Sequence, residues 1–357
     1  MRHKGNRVTI VIFVISSLGL ACLPGGLIVT GTPVTVPPAG NGLNADGPWL
    51  LMETDHGLWA INPDGSGLTQ LTDTDYWNGS LQDAVQPGGD QVVFLSPAEY
   101  DFHNMTLNLL TLPSGAITTL TELTSPTTEA YADEDLAGDG AQAMRAIREQ
   151  VSYAWSPDGS RLAFVGLMDG PSAEIYLYET ATDTIRRVSQ DEAQNYNPSW
   201  SPDGSTLLFL GADGFGTGAG FDTTGVWSAR GDGSNVTYLY LPRGGAEEVI
   251  GWLDETTAIL ATWNPLCGPG NLRLFDVVST NTVMLNEGCF VSAAADSRHG
   301  RLMFSNENGL YLVWLGVRTW RSRGQQWVLE DATDADPKRV FAESFAVTAT
   351  NPKRIAF

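Results

Sequence analysis

All-β is the fold class that the sequence predicts, in the form of a six-bladed β-propeller of four-stranded antiparallel blades. Three observations predict it. The block Trp-Ser-Pro-Asp-Gly-Ser stands at Trp155 and again at Trp200, 45 residues on. Self-similarity at such a period, with short strands, marks propeller blades. The segment after each block is apolar on both faces: Leu162 and Phe164 point one way, Ala163 and Val165 the other, and Leu207 to Leu210 repeat the pattern. Both faces must therefore be covered, as happens when each sheet is stacked between neighbouring sheets. Finally, long amphipathic helical patterns are scarce, while 39 Gly and 19 Pro mark many turns.

A propeller of about 300 residues forms one domain, so the 357 residues do not require two. The net charge of -21 argues against a nucleic-acid partner, which needs clustered Lys and Arg. It argues equally against docking of the folded domain on an anionic lipid surface. A solvated acidic surface on an exported protein is the plainer reading, and cation binding the sharper one. Asp133-Glu134-Asp135 lacks the bidentate acid that an EF-hand carries at its twelfth position. No metal and no cofactor are expected.

The chain starts with Arg2, Lys4 and Arg7, runs apolar from Val8 to Leu20, and reaches Cys22 after Ala21. Basic, then apolar, then small residues is the layout of a signal peptide over 1–21. A cysteine at this place resembles a bacterial lipoprotein signal, which implies that Cys22 becomes the lipidated first residue. That pattern has Leu three residues before the cysteine, where this chain has Gly19. Ordinary cleavage and an uncleaved anchor are the alternatives. Residues 22–48, with Pro33, Pro37 and Pro38, read as an extended Gly/Pro/Thr-rich tether.

From Trp49 to Phe357 the repeat governs. Aligned on Trp155, the equivalent positions are Leu43, Val85, Trp200, Trp252, Ala295 and Thr348. Each unit reads as strands A to D. In the A–B turn, Pro157 and Pro202 pre-set φ, and Gly159 and Gly204 take the left-handed conformation that closes the hairpin. Strand B is expected at Trp49–Met52, Val92–Leu95, Leu162–Val165, Leu207–Leu210, Ala258–Ala261, Leu302–Phe304 and Ile355–Phe357. Strand C is expected at Gly57–Ile61, Leu107–Leu112, Glu174–Tyr178, Val226–Ala229, Asn271–Phe275 and Gly309–Val313. Strand D comes after Pro63-Asp-Gly-Ser-Gly67 as Leu68–Thr72 and after Gly231-Asp-Gly-Ser234 as Val236–Leu241.

Trp-Ser-Pro-Asp-Gly, then Leu-Ala-Phe, then Ile-Tyr-Leu-Tyr, then a D strand together resemble the TolB-type, WD40-like propeller repeat. The resemblance covers roughly Trp49 to Phe357 and is strongest in the units at Trp155 and Trp200. Leu253-Asp-Glu-Thr256 and Ser297-Arg-His-Gly300 have lost the turn proline. TolB itself carries an N-terminal α/β domain, and the related propellers of prolyl peptidases adjoin a hydrolase domain. Here only a tether precedes Trp49, and no Gly-x-Ser-x-Gly elbow occurs. The resemblance therefore implies a stand-alone propeller. It speaks to fold and leaves function open.

Candidate chemistry is sparse. His3, His56, His103 and His299 form no metal-ligand spacing and read as solvated. Gly211 to Gly220 is glycine-rich but leads to a strand, so it is a loop and not a phosphate cradle. The recurrence of Trp155, Trp200 and Trp252 on strand A favours packing between blades over a channel lining. An insertion of about 25 residues over Glu122–Gln150 carries Glu129, Asp133, Glu134, Asp135 and Asp139, then a helix-like Ala141–Glu149.

These features place the working surface on the face of the B–C and D–A loops, because the A–B and C–D turns are trimmed. Tyr76 and Trp77, of the types that dominate binding hot spots, are the candidate contacts, with Asp133, Glu134 and Asp135 adding selectivity for a basic or metal-bearing ligand. The expected activity is non-catalytic binding of an envelope protein or glycan by a monomer, held to the membrane only through an N-terminal lipid or anchor. A propeller enzyme of the lyase or phosphatase type is the rival, and a structural spacer the third reading. Cys267 and Cys289, in loops of one face, are expected to form a disulfide. Glu343–Ala349 is expected to supply strand A of the first blade beside Trp49–Met52, closing six blades; a seventh blade is the alternative.

Overall fold

In a computed structural model, the structure describes residues 42–330 apart from 55–56, 73–80, 97–104, 125–138, 149–151, 171, 191–192, 214–222, 241, 243–244, 265–267, 291, 298–299, 307–308, 315–317 and 324–325. These residues form two compact units, the first up to Thr121 and the second from Glu122.

The first unit holds two three-stranded antiparallel sheets. One is β1 (Leu50–Thr54), β2 (Gly57–Ile61) and β3 (Thr69–Gln70). The other is β4 (Gln91–Ser96), β5 (Thr106–Thr111) and β6 (Ala116–Glu122), preceded by the short helix α1 (Leu81–Ala84). The strand A expected at Val85 is reduced to a single bridge, Val85 to Val92. Residues 42–48, expected as the end of the tether, are tied down instead. Asn44 N donates to Asn62 Oδ1 at 2.9 Å, and Trp49 Nε1 to the Asn44 carbonyl at 2.8 Å.

In the second unit, helix α2 (Asp139–Arg148) lies where the insertion reads as helical. It buries Ala143, Met144, Ala146 and Ile147, spaced to share one helix face. Three four-stranded sheets come next, each running in chain order from strand A to strand D. The first is β7 (Tyr153–Trp155), β8 (Arg161–Gly166), β9 (Glu174–Glu179) and β10 (Thr184–Arg187). The second is β11 (Gln194–Trp200), β12 (Thr206–Ala212), β13 (Thr223–Arg230) and β14 (Thr237–Tyr240). The third is β15 (Glu247–Trp252), β16 (Thr257–Asn264), β17 (Gly268–Asp276) and β18 (Thr282–Cys289). A sheet of five strands comes last: β19 (Ser292–Asp296), β20 (Arg301–Asn306), β21 (Gly309–Trp314), β22 (Arg318–Arg323) and β23 (Gln326–Glu330). The antiparallel four-stranded meander, repeated along the chain, is the blade of a β-propeller.

The turns explain the regularity. In Ser156-Pro-Asp-Gly159, Gly159 N donates to the Ser156 carbonyl at 2.8 Å, and Gly159 sits at φ 70°. Asp158 Oδ1 accepts from Ser156 Oγ at 2.6 Å and from Ser160 N at 3.0 Å. Ser201 and Asp203 repeat the geometry at 2.7 and 3.0 Å. Each turn is thus locked by its own side chains, which sets the hairpin register: Trp155 faces Leu162, Trp200 faces Leu207, and Ala295 faces Leu302. Of the two turns that lost the proline, the one after Ala295 keeps this register, and the one after Trp252 is one residue tighter, with Trp252 opposite Ala258. There Asp254 Oδ1 accepts from Thr256 N and Thr257 N at 2.8 and 2.7 Å.

The strands apolar on both faces are buried as expected. Leu162, Ala163, Phe164, Leu207, Leu208, Phe209 and Leu210 are all fully buried. Successive sheets of the second unit are pinned at strand A. Trp200 Nε1 donates to the Ala154 carbonyl at 3.0 Å and Trp252 Nε1 to Ser199 Oγ at 3.0 Å. Those tryptophans pack between blades. Between the last two sheets, Leu253, Ile259, Ala261, Leu272, Phe290, Leu302 and Phe304 form one apolar cluster.

Candidate binding face

The B–C and D–A loops spring from the ends of strands B and D and the starts of strands C and A. Polar residues gather there. Glu174, the first residue of β9, is fully buried. Its carboxylate accepts from Ser172 Oγ at 2.9 Å, Asn195 Nδ2 at 3.3 Å and Ser189 Oγ, and forms an ion pair with Arg187. The Arg187 guanidinium also donates to the Ser189 carbonyl at 2.8 Å and the Asp169 carbonyl at 3.4 Å. Gln194 Oε1 accepts from Ala173 N at 2.7 Å, and Ser189 Oγ from Ile175 N at 2.8 Å. One carboxylate and one guanidinium thus tie a B–C loop to the chain that leads into the next sheet.

The same device recurs one sheet on. Tyr196 Oη lies 2.7 Å from Thr223 Oγ1, which accepts from Glu247 N at 2.7 Å. Asn197 stands at φ 53°, in the left-handed region that a short polar side chain tolerates. The bulge this makes in β11 turns Asn197 Oδ1 to Val249 N, 2.6 Å away. Glu247, at the start of β15, is buried and ion-paired with Arg273 of β17. Arg273 reaches Tyr240 Oη at 3.1 Å and Thr262 Oγ1 at 3.4 Å. Burial pushes the Glu247 carboxyl above its ordinary range despite the guanidinium. Burial likewise holds the Tyr240 phenol up, at about 12.

The candidates singled out from sequence fare differently. Tyr76, Trp77, Asp133, Glu134, Asp135, Cys22 and Cys267 lie outside the described residues, as do all four histidines. Cys289 ends β18, opposite Gly270. Among the described residues, no group of three or more His, Cys, Asp or Glu is placed to hold a metal ion. No helix among them is long and apolar enough to cross a membrane. Sequence reasoning missed Glu174, Arg187, Glu247 and Arg273. The one available signal is an acid at the head of a strand that is otherwise apolar, as in Glu174-Ile-Tyr-Leu-Tyr178.

The class that this topology defines, propeller blades in series, has solved counterparts. TolB from Acinetobacter baumannii is 15% identical at a TM-score of 0.40, over 72% of this chain and 56% of that one. Oligogalacturonate lyase from Vibrio parahaemolyticus is 13% identical at 0.46, over 85% and 80%. The β-propeller domain of the Trilobed protease from Pyrococcus furiosus is 12% identical at 0.46, over 76% of each chain. This chain thus spans little more than half of that TolB. No protein-family model and no curated protein matches it. Such likeness is one of fold and carries nothing about activity, and the blade assignment rests on the strand order.

Proposed function

We propose that this chain is a non-catalytic binding scaffold or sensor of the cell envelope, working through the face of its B–C and D–A loops. The observation that carries the reading is the footing of those loops. Glu174 and Glu247 are each buried and each held by a guanidinium, and neither is left open to exchange protons with a substrate. Their geometry suits a rigid platform that presents loops, which is where binding groups belong. Export and tethering rest on the Met1–Cys22 layout, and Tyr76, Trp77 and the Asp133–Asp135 acids remain the proposed contacts. A disulfide between Cys267 and Cys289 belongs to the same reading.

The test is capture of envelope proteins and glycans by the mature chain. It is compared with Tyr76→Ala/Trp77→Ala and with deletion of 133–142, folding being monitored by circular dichroism. Folded variants with reduced capture are expected. Unchanged capture in both would assign the working face elsewhere.

A further inference from the structure

We propose that Trp227 and Tyr238 form an aromatic corner that takes the cationic side chain, Lys or Arg, of a basic protein partner. The proposal rests on the scaffold reading only in that the occupant belongs to a protein. It names a contact surface apart from Tyr76 and Trp77.

The corner is built by strand register. Gly211 faces Gly225 across β12 and β13, and Trp227 faces Tyr238 across β13 and β14. Gly225 makes room for the rings, and Gly211 leaves a looser fit. A Cβ on Gly225 would stand 2.6 Å from Trp227 Nε1 and 3.0 Å from Tyr238 Cε2; one on Gly211 would stand 3.3 Å from Trp227 Nε1. The rings therefore lie over backbone bare of side chains. Phe209, fully buried, is stacked with Trp227 at 6.5 Å and 6°, which fixes the indole plane from the core side. Tyr238 meets that indole edge to face, at 5.0 Å and 74°.

Two ring planes near a right angle, one of them on a tyrosine that is 45% exposed, make two walls of an aromatic cage. The negative face of each ring attracts a cation. Charge selects the occupant. A chain of net charge -21 raises the local concentration of cationic groups and repels anionic ones. A neutral sugar would draw nothing from that field.

The experiment uses the full chain with 15N-labelled tryptophan, the Trp227 indole signal being assigned through Trp227→Phe. It is titrated with a short acetylated lysine peptide, with the same peptide carrying norleucine for lysine, and with cellohexaose. A saturable shift with the lysine peptide alone is expected. Tyr238→Phe keeps the affinity, whereas Tyr238→Leu weakens it about 2- to 5-fold, the worth of one exposed cation–π contact. An equal response to norleucine or cellohexaose, equal binding by the Phe and Leu variants, or no response to any probe overturns the proposal. Capture of envelope partners is measured on the same variants. Intact capture without a lysine response sinks the corner alone, and a lysine response without any capture sinks the scaffold reading alone.

Discussion

Glu174 shows what a single residue can decide in this fold. Fully buried, it is tolerable only because Arg187, Ser172, Ser189 and Asn195 meet its oxygens. Glu174→Ala removes the anion and leaves the guanidinium over a void. Breaking a buried pair this way costs about 3–5 kcal/mol. With the Arg187 side chain 25% exposed, water relieves part of that, and a loss of about 3 kcal/mol is expected in urea denaturation. The double variant Glu174→Leu/Arg187→Met should recover only part of it, because Ser172, Ser189 and Asn195 lose their acceptor. A single variant with an unchanged midpoint would show that the network does not hold the loop.

Titration gives a second prediction at this scale. Asp64, Asp158, Asp203, Asp232 and Asp276 are all held below the ordinary aspartate value of 3.8, chiefly by hydrogen bonds from the neighbouring Ser side chains and backbone amides. Their contribution is complete above that value and is lost as pH falls through the lowered values. Glu247, raised by burial, acts the other way: its contribution is present below 4.5 and lost as pH rises through its raised value. Tyr176, Tyr196 and Tyr240 are raised above 10.0 by burial, so folding loses stability as pH rises past 10.0. Melting temperature against pH should fall below about pH 4 and again above about pH 10. A flat profile through pH 11 would contradict the alkaline limb.

At the scale of the element, the A–B hairpin is the part most legible in the sequence. The alignment on Trp155 puts Val85, Trp155, Trp200 and Ala295 each seven residues before the partner that the register gives them. At Trp155 and Trp200 it works because the Ser-Pro-Asp-Gly-Ser turn settles its own hydrogen bonds locally, so spacing in sequence becomes spacing in space; Val85 and Ala295 keep the spacing with other turn residues. The ion pairs were not legible. Arg187 and Glu174 meet across the paired strands β10 and β9, and Arg273 and Glu247 meet from β17 and β15, with no repeat to announce either pair. The fifth strand, β23, was missed too, because Gln326–Glu330 carries none of the blade's turn chemistry. The Cys267–Cys289 bridge is an element-scale prediction. Cys289 stands opposite Gly270, three residues beyond Cys267 in the chain. A bridge there closes a 22-residue span and contributes about 2–4 kcal/mol. Cys289→Ser should lower the melting temperature, and a reductant should have no further effect on that variant. Two thiols titrating freely in the unreduced chain would rule the bridge out.

At the scale of the whole molecule, the open question is how the series of sheets ends. The described residues give six sheets, and the first has no strand on the far side of β1 from β2. An exposed edge on β1 would be a template for pairing with another chain. Glu343–Ala349, which reads as an inner strand, is the segment proposed to cover that edge. Only alternate amides of β1 can be protected by β2, because in an antiparallel ladder the others point away. Hydrogen exchange therefore reads the closure directly. In the full chain, the outward amides of Leu50–Thr54 should exchange slowly; after deletion of residues 343–357 they should exchange at the rate of an open strand, and the melting temperature should drop. If those amides exchange rapidly in the full chain as well, Glu343–Ala349 does not pair with β1, and the seven-bladed alternative takes its place.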